Sequence, residues 1–274
     1  MRVFEIGFYR NVLKRLITSF RWRLLCPKAP EVCLTSLTLL TFGSQYGRKT
    51  LVQPKENLRK VVLISGGIGE DISFDIEFAN KFNSLIILVD PSESAQRHMQ
   101  ETYQALGQKC SKEYSVSSRQ LVSSYNLEQV QKEDFIYLQK ALWHSSGEIG
   151  FYLPEDISRD SSGSINGIHN FYRKGKPDYI VQGITIDEIV KTHKLNKIDI
   201  LKLDIEGSGL EVLSQMFSDG IFPNQLLVEF DELHFPSFRS KFRGEKLFRL
   251  LRKNNYIPVS RDSCDFTYVR KDAF

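Results

Sequence analysis

The apolar positions of this chain fall into short continuous runs separated by polar, helix-length segments. Val61 to Ile64 forms the first run, Leu85 to Val89 the second, Phe135 to Trp143 the third, Ile198 to Leu203 the fourth and Gln225 to Phe230 the fifth. Apolar runs of this length, without polar alternation, suit strands buried on both faces, as in a parallel sheet. Between them, Ile72 to Phe82 and Ser94 to Leu106 repeat apolar residues every three to four positions, the period of an amphipathic helix. Strands alternating with helices predict an α/β fold with a doubly wound, mostly parallel sheet. At the end of the chain, Tyr256 to Ser260 and Phe266 to Arg270 flank Arg261-Asp262-Ser263 and read as a closing hairpin.

The pattern differs outside this core. Phe8 to Leu25 reads as a helix with Tyr9, Val12, Leu13, Leu16, Ile17, Phe20 and Leu24 on one broad face and arginines opposite. Such a helix packs its stripe on protein or lies on an anionic membrane. A Thr/Ser/Leu-rich segment (Thr35 to Phe42), a turn region (Gly43 to Gly47) and a polar linker with Pro54 follow. Lys109 to Lys132 is polar and Ser-rich, a loop or an exposed helix. Ser158 to Pro177 is too long for an ordinary connection and reads either as a substrate lid or as variable surface.

Bulk properties narrow the class. A chain of 274 residues with 41% hydrophobic and 26% charged residues can bury a real core and allows one large domain with an appendage. The net charge of +4 is mild, and much of the positive character sits at the start in Arg2, Arg10, Lys14, Arg15, Arg21, Arg23 and Lys28. No basic stripe elsewhere supports nucleic-acid binding. Cys26, Cys33, Cys110 and Cys264 form no C-x-x-C pair, which fits a reduced, cytoplasmic protein. No window reaches the length of uninterrupted apolar residues a spanning helix needs, and the early arginines break any signal-peptide core. Peripheral membrane contact and homodimerisation, both through Phe8–Leu25, are the expected partner options beside a small-molecule or glycan acceptor.

The chemistry concentrates after the first core run. Ser65-Gly66-Gly67-Ile68-Gly69-Glu70-Asp71 is a glycine turn between strand and helix, and Asp90-Pro91 closes the next strand 21 residues beyond Gly69. A β-α-β unit of this kind lets backbone approach a nucleoside at the helix N-terminus, with the acid accepting hydrogen bonds from ribose hydroxyls. The third glycine of the dinucleotide pattern is missing. Glu70 and Asp71 would repel a diphosphate but not the sulfonium and ammonium of S-adenosylmethionine, so the turn favours that cofactor over NAD. A structural tight turn uses glycine for the same backbone reason, so the glycines alone do not decide.

Several segments together resemble the FkbM-like methyltransferases, a branch of the class I S-adenosylmethionine-dependent enzymes. They are Gly67-Ile68-Gly69-Glu70-Asp71-Ile72-Ser73-Phe74-Asp75, Asp90-Pro91, Ala141-Leu142, Leu201-Lys202-Leu203-Asp204-Ile205-Glu206-Gly207 and Leu227-Val228-Glu229-Phe230, in the family's order, from about Phe42 to Val269. The resemblance implies a Rossmann-like sheet of seven strands, the last antiparallel, and methyl transfer usually to oxygen of a sugar, polyketide or similar molecule. On this reading residues 1–54 are an N-terminal helical extension and linker, and residues 55–274 the methyltransferase domain. Gly67 and Gly69 would line the methionine part of the cofactor, Asp90 would bind the ribose, Ala141 and Leu142 would sit near adenine, and Ser65, Glu70 and Pro91 join them as cofactor-binding candidates. Asp204 and Glu206 would face the reaction centre. Two departures stand out: Ser208-Gly209 replaces the usual small residue and second acid, and Trp143-His144 follows Ala141-Leu142.

Lys202, Asp204 and Glu206 alternate at the end of the fourth strand, which puts them on one face toward the crevice. Asp204 or Glu206 is the candidate base or partner of the cofactor ammonium; a salt bridge with Lys202 is the structural alternative. Among His144, His169 and His234, the last follows the fifth strand at the crevice edge and joins Asp204 and Glu206 as a catalytic candidate. A divalent ion on Asp204, Asp231 and Glu232 is conceivable, but no spacing demands a metal. N- or carboxyl-methylation and a cofactor-binding module without turnover remain the alternatives to O-methylation.

Overall fold

The structure is a computed structural model that describes residues 22–33, 36–54, 60–154, 163–165 and 175–273. The Phe8–Leu25 segment up to residue 21, most of the Ser158–Pro177 insertion and His169 within it lie outside the described residues. In chain order, β1 (Leu39–Phe42) and β2 (Lys49–Val52) form an antiparallel hairpin. The first β-α-β unit follows as β3 (Val61–Gly66), α1 (Ser73–Lys81) and β4 (Ser84–Val89), then α2 (Glu93–Gln104) and β5 (Phe135–Leu138). Three short strands, β6 (Ala141–Leu142), β7 (Gly147–Phe151) and β8 (Tyr179–Ile184), precede α3 (Ile186–Thr192). The second half runs β9 (Ile200–Leu203), α4 (Gly209–Ser218), β10 (Gln225–Glu229), α5 (Asp231–His234), α6 (Phe238–Lys253), β11 (Tyr256–Asp262) and β12 (Asp265–Arg270).

Seven strands pair in the order β11-β12-β10-β9-β3-β4-β5. The β3–β4, β4–β5, β3–β9 and β9–β10 pairs are parallel, whereas β12 runs antiparallel to both β10 and β11. The closing hairpin read from the sequence is therefore present, and it supplies the one reversed strand. Successive strands move outward from β3 through β4 to β5, then restart on its other side with β9. Ligands of open α/β sheets bind in the crevice at such a switch point, beyond the strand C-termini.

The strands form because their side chains are apolar on both faces. Leu63, Ile86 and Leu88 pack with Phe74, Ile76 and Phe78 of α1 and Ala95 and Met99 of α2. Their neighbours Ile64, Ile87 and Val89 point the other way, into a cluster with Leu213 and Met216 of α4 and Leu247 and Leu251 of α6. The period of two thus divides one continuous apolar run between two cores.

The third predicted strand, Phe135 to Trp143, divides in two. β5 stops at Leu138, and Ala141-Leu142 pairs with β8 in a separate three-stranded sheet of order β6-β8-β7. Gln139 and Lys140 interrupt the apolar run, and the turn there carries Ala141 and Leu142 over the crevice. The Thr/Ser/Leu-rich segment, turn region and linker together contain the β1–β2 hairpin, which docks on the sheet: Val52 N–H donates to Gln225 Oε1 at 2.8 Å and Gln225 Nε2 donates to Val52 O at 2.7 Å. Gln225 is buried, so its amide completes the backbone pairing that β2 would otherwise lack.

Candidate active site

The glycine turn is built around a carboxylate. Asp90, at the end of β4, accepts from Ile68 N–H at 2.9 Å and Gly69 N–H at 3.0 Å through one oxygen, and from Ser92 N–H at 2.8 Å and Ser92 Oγ at 2.6 Å through the other. Four donors fill the acceptor capacity of a carboxylate. The same Ser92 caps α2 by accepting from Ala95 N–H. Gly67 has φ +73°, and a Cβ there would lie 1.7 Å from the carbonyl oxygen of Asp204, so only glycine lets β3 and the end of β9 approach this closely. Gly69, at φ +49°, has nothing within 4 Å of where its Cβ would be.

The start of α1 is equally occupied. Ile72 N–H donates to Tyr125 Oη at 3.1 Å, which is held in turn by His98 Nε2 at 2.8 Å, and Ser73 N–H donates to Asp71 Oδ1 at 2.9 Å. The other Asp71 oxygen accepts from Ser44 Oγ at 2.6 Å, tying the β1–β2 hairpin to the helix start. Glu70 pairs with Arg119 at 2.9 Å. The two acids expected to repel a diphosphate are thus engaged with the protein, one with a cation and one with a hydroxyl and an amide.

Across the crevice lies a different kind of site. Lys49 of β2 is buried and meets Asp204 at 2.9 Å, Glu229 at 3.4 Å and Asp265 at 2.5 Å. Burial opposes its charge, but the three acids outweigh burial and hold the ammonium well above its usual range. Burial would also raise Asp204, yet Lys49, Lys202 and a hydrogen bond with Glu229 keep its carboxyl well below the ordinary range. Glu229 is driven the other way, first by the Asp204 charge and then by burial, to well above the ordinary carboxylate range. Lys202 Nζ donates to Gly67 O at 2.9 Å and links this cluster to the turn.

Glu206 stands in the left-handed region at φ +49°, a conformation uncommon for a residue with a side chain. Its carbonyl accepts from Ser164 Oγ at 2.8 Å. The following Gly207 N–H donates to Asp231, and Gly207 O accepts from Arg243 at 2.7 Å. Arg243 also pairs with Glu211 and Glu232, so one buried guanidinium fixes the loop after β9 against α4, α5 and α6. Burial, with Glu206, Glu232 and Asp204 nearby, pushes Asp231 well above the carboxylate range. His234 lies 3.8 Å from Glu229, an ion-pair distance and too long for a hydrogen bond.

These elements enclose a cavity of about 360 Å³, within the range of small-molecule sites. Gly67, Gly69, Glu70, Asp90, Pro91, Ala141, Leu142, Asp204, Glu206 and His234 all line it. Ser65 does not: it is buried under the turn beside Asp75, and neither its hydroxyl nor the Asp75 carboxylate has a partner of hydrogen-bonding geometry among the described residues. His144 is exposed, lies against Trp143 with the rings tilted by 43° and is absent from the lining. Lys49, Glu229 and Asp265 also line the cavity, and the sequence reading had not placed them there. A motif gave Glu229, but Lys49 had no local signal. Among the described residues, no group of three or more His, Cys, Asp or Glu side chains is arranged to hold a metal ion.

The family model described as the methyltransferase FkbM domain matches residues 112–258, more than half of the chain. The chain belongs to the FkbM methyltransferase family. No curated protein and no solved structure matches it. The matched part of this FkbM methyltransferase contains β5 to β10 and hence Asp204, Glu206, Glu229 and His234, whereas the glycine turn and Asp90 precede it.

Proposed function

We propose that the cavity takes S-adenosylmethionine and that the enzyme methylates a hydroxyl group of a small molecule or glycan. The observation that carries the cofactor is the hydrogen bonding of the turn. A diphosphate needs free backbone N–H groups at the helix N-terminus. Here Gly67, Ile68, Gly69, Asp71, Ile72 and Ser73 N–H all donate within the protein. The lining instead holds seven carboxyl groups, Glu70, Asp71, Asp90, Asp204, Glu206, Glu229 and Asp265, against the ammoniums of Lys49 and Lys202, an excess that suits a cationic ligand.

Within this reading the side chains take distinct roles. Gly69 leaves the wall of the turn open for the methionine part, and Leu142 with Ala141 offers an apolar surface to the adenine. Asp90 is committed to the turn, so ribose hydroxyls would meet its oxygens only in competition with Ser92. Asp204, kept ionised by Lys49 and Lys202, is a poor base and a good partner for the ligand's ammonium. S-adenosylmethionine supplies an electrophilic methyl on sulfur, and the protein aligns the acceptor and excludes water. His234, on the cavity wall, takes the acceptor's hydroxyl proton; imidazole is the side chain that ordinarily changes charge between pH 5 and 8.

Transfer of labelled methyl from S-adenosylmethionine to a panel of hydroxyl acceptors tests this reading. The expected product is stable to base and hydroxylamine, and His234→Gln lowers kcat about 10²-fold or more with little change in cofactor affinity. Base-labile product would identify a carboxyl acceptor and overturn O-methylation.

A further inference from the structure

Helix α6 packs only part of its surface. Ser240, Arg243, Gly244, Leu247 and Leu251 face the protein. The outward side carries Phe238, 77% exposed, and Phe242, 65% exposed, with Phe235 just before the helix at 42%. Phe238 and Phe242 are four apart within the helix, so their rings share one face, and Phe235 precedes the N-cap Ser237. Arg239, Lys246 and Arg249 are exposed among and beyond them. Two solvated phenylalanines on one helix face, with a third just before the helix, are unusual, because a ring of this size ordinarily gains by burial.

The chain from the N-terminus arrives at this helix. Lys241 Nζ donates to Leu24 O at 2.8 Å, and Pro27 packs over Gly244, where a Cβ would come within 2.6 Å of it. Trp22 at 42% and Leu24 at 49% are exposed, as is Arg23 between them. The residues before them in sequence are rich in arginine and lysine. Glu245, half-buried, is the one carboxylate within α6.

We propose that this face of α6, with Trp22 to Leu24, docks the enzyme on an anionic lipid bilayer. Aromatic rings interleaved with Lys and Arg are the chemistry of an interfacial helix: the rings enter the acyl boundary while the cations meet lipid phosphates. The charge complementarity favours lipid over a second copy of the chain, because two such faces would bring like charges together. His234, which lines the cavity, precedes Phe235, so the docking face continues to the cavity rim. The inference does not depend on the identity of the methyl donor.

Co-sedimentation of the full chain with vesicles tests it, comparing phosphatidylcholine alone with phosphatidylcholine containing phosphatidylserine. Binding to the anionic vesicles only, weakened by salt, is expected. Phe238→Ser combined with Phe242→Ser should reduce it about tenfold or more. Arg239→Gln and Lys246→Gln should each reduce it about fivefold. Circular dichroism and S-adenosylhomocysteine affinity should stay unchanged in these variants. Three results would overturn the proposal: no binding to anionic vesicles, binding unaffected by the α6 variants and lost only on neutralising Arg10, Lys14 and Arg15, or concentration-dependent self-association abolished by the α6 variants in place of lipid binding.

Discussion

The two walls of the cavity solve opposite problems. On the β3–α1–β4 side, the Gly67, Ile68, Gly69, Asp71, Ile72 and Ser73 amides all have defined acceptors, with Asp90 alone taking four hydrogen bonds. On the β2–β9–β10 side, one buried ammonium serves three carboxyl groups, and this crowding of acids drives Glu229 well above the carboxylate range. The first wall is saturated with internal hydrogen bonds. The second is a crowded ionic cluster whose balance responds to any new charge.

Removing Lys49 should break the contrast most severely. Lys49→Met removes the cation that Asp204, Glu229 and Asp265 share, and loss of one partner from a buried ionic cluster costs roughly 3–5 kcal/mol. Urea unfolding checks the stability, and a cost under about 1 kcal/mol would mean that the cluster is solvated. On the saturated wall, Asp90→Ala strips partners from the Ile68 and Gly69 amides and should cost roughly 3 kcal/mol, at about 1–3 kcal/mol for each buried group left unpaired. Differential scanning calorimetry with and without S-adenosylhomocysteine should show both a lower Tm and a lost ligand shift.

Asp75 lies under the turn between the walls. Burial raises its carboxyl from the ordinary 3.8 to about 6, against the pull of Lys202. A raised folded-state value favours the native state fully below the unfolded value and loses that contribution as pH rises through the folded one. The stability of the wild type relative to Asp75→Asn should therefore fall as pH climbs from about 4 to about 6 and level off above about 7, by about 3 kcal/mol at most. A pH-independent difference in unfolding free energy would show that Asp75 does not titrate in this window. The smallest effect is expected from Ser164→Ala, which deletes the hydroxyl holding the Glu206 carbonyl: about 1 kcal/mol of stability, with a larger loss in kcat than in cofactor affinity.

Legibility in the sequence followed the same division. The β3–α1–β4 wall could be read because fully buried parallel strands are continuous apolar runs and the glycine turn sits between two of them. Asp204 and Glu206 were legible for a related reason, since they end the run from Ile198 and alternate with Lys202. Lys49 was not, because its partners Asp204, Glu229 and Asp265 come from strands far along the chain and a four-residue hairpin strand has no strong period. The extension of the third strand to Trp143 went too far because two polar residues, Gln139 and Lys140, were enough to end β5 and redirect the chain. The charge of Glu70 and Asp71 was visible, but not their engagement by Arg119, Ser44 and Ser73, which moves the case against a diphosphate from repulsion to a shortage of free N–H donors.

The central claim is that the saturated turn admits a sulfonium nucleoside and refuses a dinucleotide. Isothermal titration of the wild-type chain with S-adenosylhomocysteine and, separately, with NAD measures this directly. Saturable one-to-one binding of S-adenosylhomocysteine with no heat from NAD is the predicted result; binding of NAD, or of neither ligand, would contradict it.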